Sequence, residues 1–205
     1  MGVKVKICGI TNLEDAQASV DAGCDALGFV FYKKSPRYIA PERAKKIIRG
    51  LPQRIIKIGV FVNEKEKFIK RIAKACCLDM LQFHGNESAE FCSRFKVYKI
   101  IKAFRVKNKI ELNKIKKYRV FAYLFDTFVK SKIGGTGKTF DWKLLGRLDT
   151  LNKTIFLSGG LTAKNVKAAI KAVRPDWVDA SSSLEKSPGK KEHKKVRTFI
   201  KAIKG

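Results

Sequence analysis

A (β/α)8 barrel, built as a single domain over residues 1–205, is the fold class this sequence predicts. Three observations predict it. Short runs of β-branched and aromatic residues alternate along the chain with amphipathic patterns of helical period. About eight such strand–helix units follow one another through short connections, enough to close a barrel. The strand runs are nearly continuous in apolar residues, as in parallel strands covered on both faces. An open doubly wound sheet is the structural rival. The chain has 205 residues, near the lower end for such barrels, which start at roughly 200. Little room remains for inserted domains.

The elements follow in order. Residues 3–7 form the first β-branched run. Thr11 opens a helix with Glu14 three residues on, a capping box. Residues 25–31 are the second strand. Pro41 suits the first turn of the second helix, and Gly50 closes it. Residues 55–61 are strand three. Asn63 caps the next helix, with Glu66 at the reciprocal position. Its apolar face is Ile69, Ile72, Ala73 and Cys76. Residues 80–83 are strand four, with a helix from about Glu87. Residues 97–104 are strand five, and Asn108 caps the helix behind it. Residues 120–125 are strand six. A polar, glycine-rich loop follows over about 126–140, and a short helix begins near Asp141. Residues 154–157 are strand seven. Thr162 opens a helix whose face is Val166, Ala169, Ile170 and Val173. Residues 177–180 are strand eight. Pro188 precedes a final helix striped with Val196, Phe199, Ile200 and Ile203.

Composition narrows the function. No apolar run reaches the roughly 20 residues that span a bilayer. The start of the chain enters a strand pattern at once, without the apolar stretch of a signal peptide. The cytoplasm is the expected compartment, with no membrane partner. The five cysteines, Cys8, Cys24, Cys76, Cys77 and Cys92, are odd in number and form no CxxC or zinc spacing. Neither a disulfide framework nor a metal site is expected. Forty-five Lys and Arg face 18 Asp and Glu, for a net charge of +27. Such a chain attracts phosphates, carboxylates or nucleic acid. A nucleic-acid module would need base-reading groups, and no such motif is present. The lysines of the last helix, Lys190, Lys191, Lys194, Lys195 and Lys201, flank an apolar stripe and read as an ordinary solvated face.

In barrels of this kind the active site lies on the loops that follow the strands. Those positions hold Cys8-Gly9, Ser35-Pro36-Arg37, His84-Gly85, Asp126, Ser158-Gly159-Gly160 and Ser181-Ser182-Ser183. The loops after strands seven and eight commonly bind phosphate. Gly159 and Gly160 let backbone N–H groups approach an anion, and Ser181, Ser182 and Ser183 add donors. A plain tight turn and a cap cluster is the other reading. Residues 134–139, Gly-Gly-Thr-Gly-Lys-Thr, lack the spacing of a nucleotide phosphate loop. Cys8 is a thiol base or nucleophile if its pKa falls, and the cationic surroundings push that way. Otherwise it is a small apolar residue filling the barrel mouth. Cys24, Cys76 and Cys92 fit such a filling role, and Cys77 has no assignment. Asp126 follows a strongly apolar strand. Burial there would raise its pKa and keep it protonated as a general acid, although the positive field opposes this. The alternative is a turn cap. Arg37 can grip a carboxylate or phosphate with its planar fork, or is one more surface cation. His84 is a base, a substrate contact or a structural histidine.

Taken together, these loops resemble the phosphoribosylanthranilate isomerase family. The motifs are Lys6-Ile-Cys8-Gly9-Ile-Thr11, Phe29-Val-Phe31 with Ser35-Pro-Arg37, and Gly59-Val-Phe61-Val. Then come Leu81-Gln-Phe-His84-Gly85, Phe125-Asp126, Gly134-Gly-Thr-Gly137 with Phe140-Asp-Trp142, and Leu157-Ser-Gly-Gly-Leu161. The last are Asp179-Ala-Ser-Ser182 with Glu185, and Ser187-Pro-Gly189 with Lys191. They run in family order from end to end. The resemblance implies an Amadori rearrangement of a phosphorylated small molecule without metal or other cofactor, in tryptophan biosynthesis. It implies Cys8 as general base, Asp126 as general acid and Arg37 at the anthranilate. Gly159-Gly160 and Ser181-Ser182 would form the phosphate cradle. A monomer or homodimer is expected. The chain departs from the family at Ser183, where glycine is usual, and at Ala180, where valine is usual. The runner-up is another sugar-phosphate isomerase on the same scaffold, such as the histidine-pathway enzyme. Cys8 argues against it, since that reaction is usually run by two aspartates.

Overall fold

The computed structural model describes residues 2–106, 111–126, 142–145 and 148–205. Asn108, Asp141 and the glycine-rich segment 134–139 lie outside the described residues. Eight parallel strands close into a barrel in sequence order. They are β1 (Lys4–Cys8), β2 (Ala26–Val30), β3 (Ile56–Phe61), β4 (Met80–Phe83), β5 (Lys99–Arg105), β6 (Ala122–Asp126), β7 (Thr154–Ser158) and β8 (Trp177–Ala180). β8 pairs back onto β1, so no strand edge is left open. The outer layer holds α1 (Leu13–Asp21), α2 (Pro41–Arg49), α3 (Glu66–Ala75), α4 (Ala89–Ser93), α5 (Leu112–Ile115), α6 (Val166–Val173) and α7 (His193–Lys204). The open-sheet rival is excluded by this closure.

Side chains alternate across each strand, and the two sets build two cores. The outward set, including Val5, Ile7, Leu27, Phe29, Leu81, Phe83 and Val178, packs under the helices. The inward set fills the lower barrel with Ala26, Ile58, Met80, Ile101, Ala122, Leu124, Phe156 and Trp177. Phe156 and Trp177 stack with centroids 4.9 Å apart. Above them the filling thins to Cys8, Val30 and Val60, and the barrel opens.

Several helix starts differ from the sequence expectation. α1 begins one residue later, because Asn12 is the cap and accepts from the Asp15 N–H. Thr11 instead donates its hydroxyl to the Gly189 carbonyl. Asn63 does not cap α3. It has φ +49° and its side chain accepts from the Asn86 N–H, tying the β3 loop to the β4 loop. α4 is capped by Ser88, and Glu87 turns inward to Lys102 at 2.7 Å. α6 starts at Val166 rather than Thr162, whose N–H donates to the Asn165 side chain. At Thr11 and Asn63 a tertiary partner claims the polar side chain that local pattern assigned to a cap. Trp142–Leu145 is a 3-10 turn. Between β8 and α7 the chain also forms an unforeseen antiparallel hairpin, β9 (Glu185–Ser187) with β10 (Lys190–Lys191).

Candidate active site

The rim chemistry follows from the same alternation. Val5 and Ile7 face the helices, so Lys6 and Cys8 face the barrel axis. The same parity aims Gln82 and His84 inward from β4, Ala103 and Arg105 from β5, and Asp126 from β6. It aims Asp179 and Ser181 inward from β8. At the carboxyl ends of the strands lies a cavity of about 520 Å3. Cys8, Arg37, His84, Asp126, Gly159, Gly160, Ser181, Ser182 and Ser183 all line it. Every site residue read from the sequence therefore meets in one place. A larger hollow of about 720 Å3, against the outer faces of α2 and α3, holds none of them.

Cys8 ends β1 and is 8% exposed. Burial pushes its thiol above the ordinary range, the Lys6 ammonium pulls it down, and Asp179 pushes it up. The net direction is upward. The expectation that cationic surroundings lower it is corrected: desolvation of the thiolate outweighs the nearby charge. Lys6 Nζ and Asp179 Oδ1 lie 2.9 Å apart with almost no exposure. Burial alone would lower the Lys6 pKa, but Asp179 and the Cys8 thiol more than offset it, and the net shift is upward. The ion pair sits one layer beneath Cys8. Gly28 leaves room for the thiol, since a Cβ there would come within 2.7 Å of Cys8 Sγ.

Asp126 is the last residue of β6 rather than the first of a loop. Its side chain is 23% exposed at the cavity edge, with His84 Nε2 at 3.4 Å from Oδ2. It is thus not sealed in the apolar setting its strand suggested. His84 Nδ1 in turn lies 2.8 Å from Gln82 Nε2.

Arg37 is already half engaged. Its Nε and Nη2 donate to the two oxygens of Glu185 at 2.8 and 2.7 Å. Two of its five donors are used, and the rest remain for a ligand. Burial would raise the Glu185 carboxyl, but Arg37 and Lys191 hold it below its ordinary value. Lys191 is not part of a solvated lysine face, as its sequence neighbours suggested. It is 1% exposed, and its Nζ donates to Cys8 O at 2.6 Å, Glu185 Oε1 at 3.0 Å and Ser181 O at 3.2 Å. One buried ammonium thus ties together the ends of β1, β8 and the hairpin.

On the β7–β8 side, Gly159 and Gly160 adopt φ of +101° and +63°, which only glycine takes readily. Ser182–Leu184 is a short 3-10 turn directly after β8. Ser183 donates its hydroxyl to the Leu161 carbonyl, linking the two loops. Its φ is not positive, so this backbone accommodates serine where the resembled family has glycine.

Lys6, Gln82, Asp179 and Glu185 carried no role in the sequence analysis, and Lys191 only that of a solvated lysine. A signal for the first three exists: each is a polar residue at inward parity within an apolar strand. Glu185 and Lys191 had no periodic signal, since a short hairpin leaves none, and stood only among the residues of the family resemblance. Among the described residues, no cluster of His, Cys, Asp or Glu is grouped to hold a metal ion. No described helix is long and apolar enough to cross a membrane.

Comparison with known proteins agrees with the resemblance. A family model for N-(5′-phosphoribosyl)anthranilate (PRA) isomerase matches residues 5–202. The N-(5′-phosphoribosyl)anthranilate isomerase of Pelobacter propionicus is 51% identical over 202 residues, covering 98% of this chain and 96% of its own. A crystal structure of phosphoribosyl anthranilate isomerase in complex with reduced 1-(o-carboxyphenylamino)-1-deoxyribulose 5-phosphate superposes with TM-score 0.90 at 45% identity, covering 99% of both chains. Monomers generated from the dimeric enzyme of Thermotoga maritima superpose with TM-score 0.88 at 45% identity, again over 99% of both chains.

Proposed function

The chain belongs to the N-(5′-phosphoribosyl)anthranilate isomerase family, enzymes of tryptophan biosynthesis, and from that premise we propose how its own residues carry out the isomerisation. The substrate is N-(5′-phosphoribosyl)anthranilate. The product is 1-(2-carboxyphenylamino)-1-deoxyribulose 5-phosphate.

Asp126, as general acid, gives a proton to the ribose ring oxygen, and the bond from that oxygen to C1′ breaks. The anilino nitrogen supplies the electron pair and becomes an iminium. The iminium acidifies C2′–H, and the Cys8 thiolate removes that proton as general base. The resulting enol transfers its hydroxyl proton away as C1′ gains one, which leaves the C2′ ketone. Proton transfers alone balance this isomerisation. Gly159, Gly160, Ser181, Ser182 and Ser183 hold the phosphate between the β7 and β8 loops. Arg37, braced by Glu185, takes the anthranilate carboxylate on its remaining donors.

The observation that carries this reading is convergence. Nine residues from the ends of six different strands line one cavity, with Cys8 and Asp126 on well-separated strands of its wall. The test is direct. Purified protein should deplete the fluorescent substrate, and a folded sample with no turnover would end the proposal. Cys8→Ala and Asp126→Asn should each lower kcat by about 10²–10⁴ with thermal stability retained. A variant with near wild-type kcat would remove that residue from its role. We also propose a homodimer, by analogy with the Thermotoga maritima relative; a sedimentation mass equal to one chain would refute it.

A further inference from the structure

Gln82 is an unusual residue for its place. It lies in the middle of β4, 1% exposed, among apolar barrel residues. Its Oε1 is buried without a hydrogen-bond partner. A leucine or methionine would fill the same space without burying an unpaired oxygen. The amide does make one bond, from Nε2 to His84 Nδ1 at 2.8 Å. A donor aimed at Nδ1 makes that nitrogen an acceptor, so the neutral ring carries its proton on Nε2. That is the nitrogen 3.4 Å from Asp126 Oδ2.

We propose that Gln82 is a positioning residue: through the His84 ring it fixes which proton faces Asp126 and so holds the carboxyl group in its working orientation. The inference rests on the role proposed above for Asp126. Gln82 acts at a distance of one side chain. It holds the His84 ring in a single tautomer and orientation. The His84 Nε2–H then engages Oδ2. The same N–H stabilises the carboxylate that forms once the proton has gone to the ring oxygen. The cost of the unpaired Oε1 is the cost of keeping the amide turned this way.

The protein has only two histidines, His84 and His193, so nitrogen-15 NMR of the imidazoles can read the tautomer without turnover. Wild-type protein should show His84 protonated on Nε2 and bare on Nδ1. A wild-type His84 protonated on Nδ1 would overturn the proposal. Gln82→Met removes the donor and should lower kcat at least about tenfold, with KM within about threefold. In a His84→Ala background the same change should have no further effect on kcat, since its messenger is already gone. A purely structural role predicts equal losses in both backgrounds, and that result would also refute the idea. Gln82→Glu keeps the shape but offers an acceptor, so it should move the His84 proton to Nδ1 and lower kcat similarly. It carries the same comparison should Gln82→Met fail to fold. Failure of the functional reading itself would be visible separately, as a folded wild-type protein with no turnover.

Discussion

Cys8 sits where burial and charge disagree. The thiol is pushed up by desolvation, drawn down by Lys6 and pushed up again by Asp179. A base with a raised pKa is mostly protonated at neutral pH, and its thiolate fraction grows about tenfold per pH unit until that pKa is passed. We therefore expect kcat/KM to climb from neutral into alkaline pH. Lys6→Met removes the lowering charge and should move the climb to higher pH. Asp179→Asn removes a raising charge and should move it to lower pH. Opposite shifts in the two pH–rate profiles are the signature, and superimposable profiles would count against the coupling. At the same scale, Lys6 and Asp179 show what the sequence withholds. A lysine and an aspartate 173 positions apart pair only because β8 closes onto β1.

At the scale of elements, the β9–β10 hairpin is the part that local patterns missed. It is short, and its charged residues look solvated in one dimension. In the fold it lies against the ends of β1 and β8, and Glu185 reaches Arg37 beyond β2. Buried ion pairs of this kind are stabilising only while complete. Lys191→Met should leave Glu185 partly unpaired and uncouple the β1 and β8 carbonyls. We expect a loss of about 3–5 kcal/mol in denaturant unfolding. Glu185→Gln should be milder in stability but should free Arg37, raising KM more than it lowers kcat. A Glu185→Gln enzyme with unchanged KM would show that Arg37 needs no brace. The eight strands, by contrast, were legible to within about two residues, because an apolar run bounded by polar residues has few other uses. The N-caps at Thr11 and Asn63 were not, since both side chains found partners from distant loops.

For the whole molecule, the dominant bulk property is the net charge of +27. The proposed substrate carries a phosphate and a carboxylate. A field of this sign should speed its capture, and added salt should screen it over a Debye length of about 10 Å at 0.1 M. We expect kcat/KM to fall with ionic strength while kcat changes little. A flat kcat/KM from low salt to about 0.5 M would remove steering as a use for the charge.

The sequence by itself determined the barrel, its strand order and the set of loop residues that meet at the rim. Period and parity are local properties, and strand ends in a closed parallel barrel all point one way. The tertiary structure alone decided how those residues behave. It turned the Cys8 pKa upward, placed Asp126 at a half-open edge, committed part of Arg37 to Glu185 and buried Lys191. Desolvation and pairing depend on neighbours brought from opposite ends of the chain, and no local pattern encodes that distance.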